Sequence, residues 1–131
     1  MLYTNSILAE KSLEDGIRIS VMSRHTLNDG ITPDPKINFN SYDEHLKIFG
    51  PPTNLIGDYY KRGLPWEEFE SRYLNYIRKQ ETVPVVKQLA QRSTIEDITL
   101  LCVEDSAEKC HRRLLAEECQ RYEPDLKIEH R

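Results

Sequence analysis

The sequence predicts an α/β fold: a small, mainly parallel sheet of about four strands with helices on both faces, a Rossmann-like sandwich. Three observations carry this. Ile98-Thr99-Leu100-Leu101-Cys102-Val103 is a nearly continuous apolar run of strand length, the pattern of a central parallel strand buried on both faces. A helical segment follows it, as a crossover connection requires. Strand-like and helical segments interchange along 131 residues, a length that holds one sizeable core, so a single domain over 1–131 is expected.

Taken in order, Leu2-Tyr3-Thr4 with Ser6-Ile7-Leu8 reads as a short strand, and Glu14-Asp15-Gly16 as a turn. In Ile17-Arg18-Ile19-Ser20-Val21-Met22, β-branched residues alternate with Arg18 and Ser20, the period-two signal of a second strand. From Thr26 to Ser41 the turn formers Asn28, Asp29, Gly30, Pro33, Pro35 and Asn38 exclude a regular element, so a long loop is expected. Tyr42 to Phe49 reads as a short helix stopped by Gly50-Pro51-Pro52. A clearer helix follows Pro65, where Trp66, Phe69, Tyr73, Tyr76 and Ile77 recur at steps of three or four and are assigned to the core. Thr82 caps another helix, with Pro84 in its first turn and Val85, Val86, Leu89 and Ala90 facing inward, before a polar turn at Arg92 to Asp97. After the third strand, Ile98–Val103, Asp105 or Ser106 caps a helix that runs to about Tyr122, with Glu108 completing a capping-box pattern. Pro124 ends it, and Leu126-Lys127-Ile128-Glu129 alternates as a short edge strand.

Charge narrows the partners. Eighteen basic against 22 acidic residues give a formal net charge of −4, so the positive field of many nucleic-acid binders is absent overall and a nucleic-acid partner is not favoured. No apolar run approaches the ~20 residues that span a bilayer, and the amino-terminal residues lack signal-peptide features, so a soluble cytoplasmic protein without a membrane partner is expected. Three cysteines, Cys102, Cys110 and Cys119, are odd in number and crowd the last third of the chain, which points to reduced thiols rather than a disulfide framework.

In open parallel sheets, ligands bind beyond the carboxyl ends of the strands. Two places qualify: Ser23-Arg24-His25 after the second strand, and Cys102 through Arg112 after the third. A thiol becomes nucleophilic beside an imidazolium, a guanidinium or a helix N-terminus, and arginine offers a fork for phosphate or carboxylate. Cys110-His111-Arg112 supplies each of these groups. A helix starting at Ser106 puts Cys110 past the first turn, where the dipole has faded; only a start near Lys109 restores it. Zinc is not expected, and neither is any cofactor. Cys110 and Cys119, nine residues apart on one helix, point to opposite faces and stand ~13.5 Å apart along the axis. Cys102, Cys110 and His111 alone leave no evident fourth ligand. The plainer alternatives make Cys102 and Cys110 buried apolar residues and pair Arg112 with Glu108 at i, i+4.

Leu100-Leu101-Cys102-Val103-Glu104 followed by Cys110-His111-Arg112-Arg113-Leu114-Leu115-Ala116 resembles the signature of the bacterial and archaeal family called domain of unknown function 488. Gly16-Ile17-Arg18-Ile19-Ser20-Val21 with Arg24 is similar to that family's early strand ending in an arginine, and Gly50-Pro51-Pro52 with Trp66, Phe69 and Tyr73 to its middle section. Ser23 stands where members tend to have an acidic residue, and His25-Thr26-Leu27-Asn28 replaces the Trp-Pro-Arg-Gly segment of one branch. The resemblance implies a compact α/β domain and a pocket uniting Arg24 with Cys110, His111 and Arg112; it supplies no reaction.

The expected function is therefore binding of an anionic small molecule or nucleotide-like group, with Arg24, Cys102 and Arg112 as ligand-binding residues and Cys110 and His111 as the catalytic pair of an enzymatic version. That version is a thiol-dependent enzyme using Cys110 as nucleophile. A non-catalytic nucleic-acid or protein interaction module is the alternative from another class.

Overall fold

The computed structural model describes residues 1–27 and 29–131; Asn28, one of the turn formers expected in the long loop, lies outside the described residues. Strands β1 (Leu2–Ser6), β2 (Ile17–Ser20), β3 (Glu44–His45), β4 (Ile98–Cys102) and β5 (Ile128–His130) form one sheet in the order β3-β2-β4-β1-β5, and every pairing is parallel. Four α-helices complete it: α1 (Thr53–Arg62), α2 (Trp66–Ile77), α3 (Val83–Ile95) and α4 (His111–Tyr122). The α/β class is the expected one, and β4 is the central strand, buried at all five positions.

The expected count of about four strands misses β3. The segment read as a helix over Tyr42–Phe49 instead continues the ladder, with Asp43 N–H donating to Arg18 O and Leu46 N–H to Ser20 O, before a single 3-10 turn at Lys47–Phe49. A short edge pairing wins because eight residues ahead of two prolines are too few to sustain a helix against sheet hydrogen bonds. Gly50-Pro51-Pro52 also starts an element: Pro52 sits at the N-cap of α1, which buries Leu55 and ends at Gly63 in the left-handed region, φ 73°. α3 extends through the expected turn at Arg92 as far as Ile95.

All four α-helices pack on one face, which corrects the expectation of helices on both. Their buried residues share a core with Leu2, Ile19, Ile98 and Leu100. The opposite face is covered by the 3-10 turn Leu13–Asp15, whose Asp15 carbonyl accepts from Thr99 Oγ1 at 2.7 Å, and by loop residues, with Ile37 against Leu101 and Ser41 O accepting from Arg18 Nε. Strand order explains this. The β3-to-β4 and β4-to-β5 crossovers step in one direction along the sheet and β1-to-β2 in the other, so a uniform right hand puts all the helices on one side. At the carboxyl ends of β2 and β4 the chain therefore leaves toward opposite faces, opening a crevice between them.

Gly50 fixes one wall of that crevice. A methyl on its Cα would overlap the Ser23 backbone. Gly50→Ala is expected to cost about 2 kcal/mol, the scale of overpacking, and to shift the segment that carries Arg24. Chemical denaturation checks it, and a loss under about 0.5 kcal/mol would show that the two segments separate freely.

Candidate functional site

Cys102 ends β4 and Cys110 is the N-cap of α4, with extended backbone (φ −142°, ψ 141°). The helix does not start at Ser106 as the capping pattern suggested. Ser106 Oγ accepts from Glu108 N–H at 3.1 Å, but this closes a local turn, and the chain stays irregular to Cys110. Cys110 and His111 thus stand at the positive end of the helix dipole, the one geometry in which the dipole favours a thiolate.

His111 brings the thiols together. Its Nε2 lies 2.7 Å from Val21 O and donates to it, so the neutral ring carries its lone pair on Nδ1. That Nδ1 is 3.7 Å from Cys102 Sγ and 4.0 Å from Cys110 Sγ. The ring is also held edge-on by Tyr73, centroids 5.3 Å apart. The three donor atoms lie within 4.8 Å of one another. Cys119 takes no part: it sits in the helix-side core beside Val86 O, with its thiol pushed up to about 12 by burial and then by Glu118.

Arg112 is fully buried but does not border the cleft. Its Nη1 donates to Glu104 O at 2.7 Å and approaches Cys110 Sγ at 3.5 Å, its Nη2 reaches Asp105 O at 3.4 Å, and its Nε has no partner. The alternative pairing with Glu108 is not made either, and among the described residues no carboxylate faces the guanidinium. A buried cation needs a counter-charge, and the neighbouring thiol pair is the group that can supply it. The pair is asymmetric. The Cys110 thiol within 4.8 Å, then the Glu104 N–H, Arg112 and the Val103 N–H, hold the Cys102 thiol below its usual value against burial. Cys110, facing Cys102 and itself buried, is pushed well up.

Cys102, Cys110 and His111 form the floor of a cleft of about 790 Å³ whose outer part carries Arg24. Arg24 is exposed, with Nη1 3.3 Å from Gly30 O. His25 turns behind the sheet, its Nε2 2.7 Å from Ser20 Oγ and its ring stacked on His45 at 4.1 Å; burial, then His45 and Lys47, lowers it to about 4. One wall is α1, which the sequence reading missed together with its Tyr59-Tyr60-Lys61. Tyr60 Oη donates to Glu104 Oε1 at 2.7 Å across the cleft. Trp66 and Phe69, read as core, stack at 5.2 Å and also face this space. The signal that could have found α1 is the Leu55–Tyr59 spacing immediately after two prolines.

The family model DUF488-N3a, described as the active DUF488-N3 subclade, matches residues 2–123. No curated protein and no solved structure matches the chain. Among the described residues no helix is long and apolar enough to cross a membrane.

Proposed function

The chain belongs to the DUF488 family, in the subclade DUF488-N3a, and from that premise we propose that it binds an anionic small molecule or nucleotide-like group in the cleft beyond β2 and β4. The observation that carries this reading is the cleft's local charge. Arg24, Lys61, Arg62 and Lys109 border it against the carboxylates of Asp29 and Glu104, an excess of two positive charges in a chain of net −4. Arg62 is partly neutralised by Asp58 at 2.6 Å, which leaves Arg24 and the two lysines to meet an anion. The stacked Trp66 and Phe69 offer an apolar wall to a planar group. Arg112 supports the site from behind, by holding the β4–α4 loop and the thiols.

A panel of nucleoside mono- and diphosphates, with inorganic phosphate alone, tests the reading by thermal shift and calorimetry. At least one member is expected to bind, and Arg24→Ala to weaken it about tenfold, roughly 1.4 kcal/mol. A panel with no binder, or equal binding by Arg24→Ala, removes it.

The thiol-dependent enzyme is a second reading, favoured by the ionisable thiol on the cleft floor. In it the attack passes from Cys110, the nucleophile expected from the sequence, to Cys102, the thiol held down at the end of β4, with Cys110 beside it. Alkylation of the reduced protein followed by peptide mapping should mark Cys102 first; preferential marking of Cys119 would show that neither floor thiol is activated.

A further inference from the structure

The floor of the cleft has the donor set and spacing of a metal site. In a tetrahedral zinc centre, Zn–S bonds of about 2.3 Å and Zn–N bonds of about 2.05 Å put sulfur and nitrogen about 3.6 Å apart. Here the two sulfur-to-Nδ1 separations are 3.7 and 4.0 Å, and all three donors fall within 4.8 Å. We propose that Cys102, Cys110 and His111 bind one zinc ion in an open three-ligand site whose fourth position faces the cleft.

Four features support it. His111 is already in the required tautomer, with Nδ1 free of its proton because Nε2–H is committed to Val21 O, the carbonyl partner typical of a metal-ligating histidine. The three ligands come from two rigid elements, the end of β4 and the start of α4, so little ordering is left for the metal to impose. Two thiolates neutralise the ion, while Arg112 beside Cys110 steadies the thiolate form. Among the described residues the cluster has three donors and no fourth, which argues against a closed structural site and is what an open one requires: three protein ligands and a coordination position for water or an incoming anion. Soft sulfur donors with one imidazole select zinc over magnesium or calcium, which take oxygen. The cleft would then present a Lewis acid at its floor and cations at its rim, both suited to an anionic ligand.

The site is independent of the anion reading, since zinc can be counted with no nucleotide present. Protein purified under reductant without chelator should carry one zinc per chain by elemental analysis. Cobalt exchanged into it should show the intense visible bands of tetrahedral Co²⁺ and thiolate-to-cobalt charge transfer. Cys102→Ser and Cys110→Ser should each weaken zinc by more than about 100-fold, whereas Cys119→Ser and Arg24→Ala should leave the stoichiometry at one. The cobalt spectrum of the unaltered protein decides the matter if the serine variants fail to fold. Substoichiometric zinc that added metal does not raise, octahedral cobalt, or facile closure of a Cys102–Cys110 disulfide in the presence of zinc overturns the proposal.

Discussion

Arg112→Met should lower stability by about 3 kcal/mol and, in reduced, chelator-treated protein, slow Cys102 alkylation near neutral pH roughly tenfold. The stability loss arises from the β4–α4 loop. Arg112 Nη1 and Nη2 bind the carbonyls of Glu104 and Asp105, and a methionine of similar length fills the space but offers neither donor. The change in reactivity has the opposite origin, in what the guanidinium does for sulfur. Cys102 is held below the usual thiol value, so its thiolate appears as pH rises through that lowered value. Removing the buried positive charge moves the transition upward and leaves less thiolate at a given pH below it. A tenfold drop corresponds to about one pKa unit, or 1.4 kcal/mol, a moderate demand on a guanidinium lying 3.5 Å from the neighbouring Cys110 sulfur. Arg112→Lys separates the two effects: it keeps the charge but cannot span both carbonyls, so it should retain much of the reactivity while losing loop stability. An unchanged alkylation profile in Arg112→Met would mean that the neighbouring Cys110 thiol and the Glu104 and Val103 N–H groups set the ionisation of Cys102 without the guanidinium.

Arg112 also marks where sequence reasoning stops. Its presence at a strand's carboxyl end was legible, because the apolar run of β4 announces a central strand and the next residues must lie at the sheet's ligand-binding edge. Its partners were not. The i, i+4 rule offered Glu108, but that rule assumes a helix already formed at 108, and α4 begins at His111. The delayed start is a tertiary effect: Cys110 becomes the N-cap because the preceding loop is tied to a guanidinium two residues into the helix, a bond invisible to local capping preferences. The same displacement carries His111 Nδ1 to within 4.0 Å of both sulfurs, so the convergence of the floor was hidden along with it. Trp66 and Phe69 illustrate a different limit. Periodicity identified their buried helix face correctly, but a face that packs on the core can also border a cleft, and the 3.6-residue repeat does not distinguish the two.

Asp15→Ala is expected to be the most damaging single change away from the cleft, costing about 4 kcal/mol. Asp15 is 1% exposed and Arg18 2%, and they meet at 2.7 Å beneath the 3-10 turn that covers the helix-free face of the sheet. One Asp15 oxygen accepts from both Arg18 Nη1 and Ser12 N–H, while the other takes Arg131 Nη1 at 3.2 Å. Removing the carboxylate leaves Arg18 buried, its Nε on Ser41 O and its Nη2 without a partner, with Arg131 only at the periphery to repel it. It also breaks the capping box that shapes Leu13–Asp15, so the turn loosens over Thr99, whose hydroxyl depends on the Asp15 carbonyl. Against a typical domain stability of about 5–15 kcal/mol, such a loss removes between roughly a quarter and four fifths of the total. The physical cause can be isolated with the double variant. If the uncompensated guanidinium dominates, Arg18→Met added to Asp15→Ala should recover more than half of the loss, because an apolar pair of similar volume has no charge to desolvate. If the capping box dominates, the double variant should be no more stable than Asp15→Ala alone. Guanidinium chloride unfolding of the single and double variants separates these outcomes, and a loss below about 1 kcal/mol for Asp15→Ala would show that water reaches Arg18 readily and that the ion pair is dispensable to this face of the sheet.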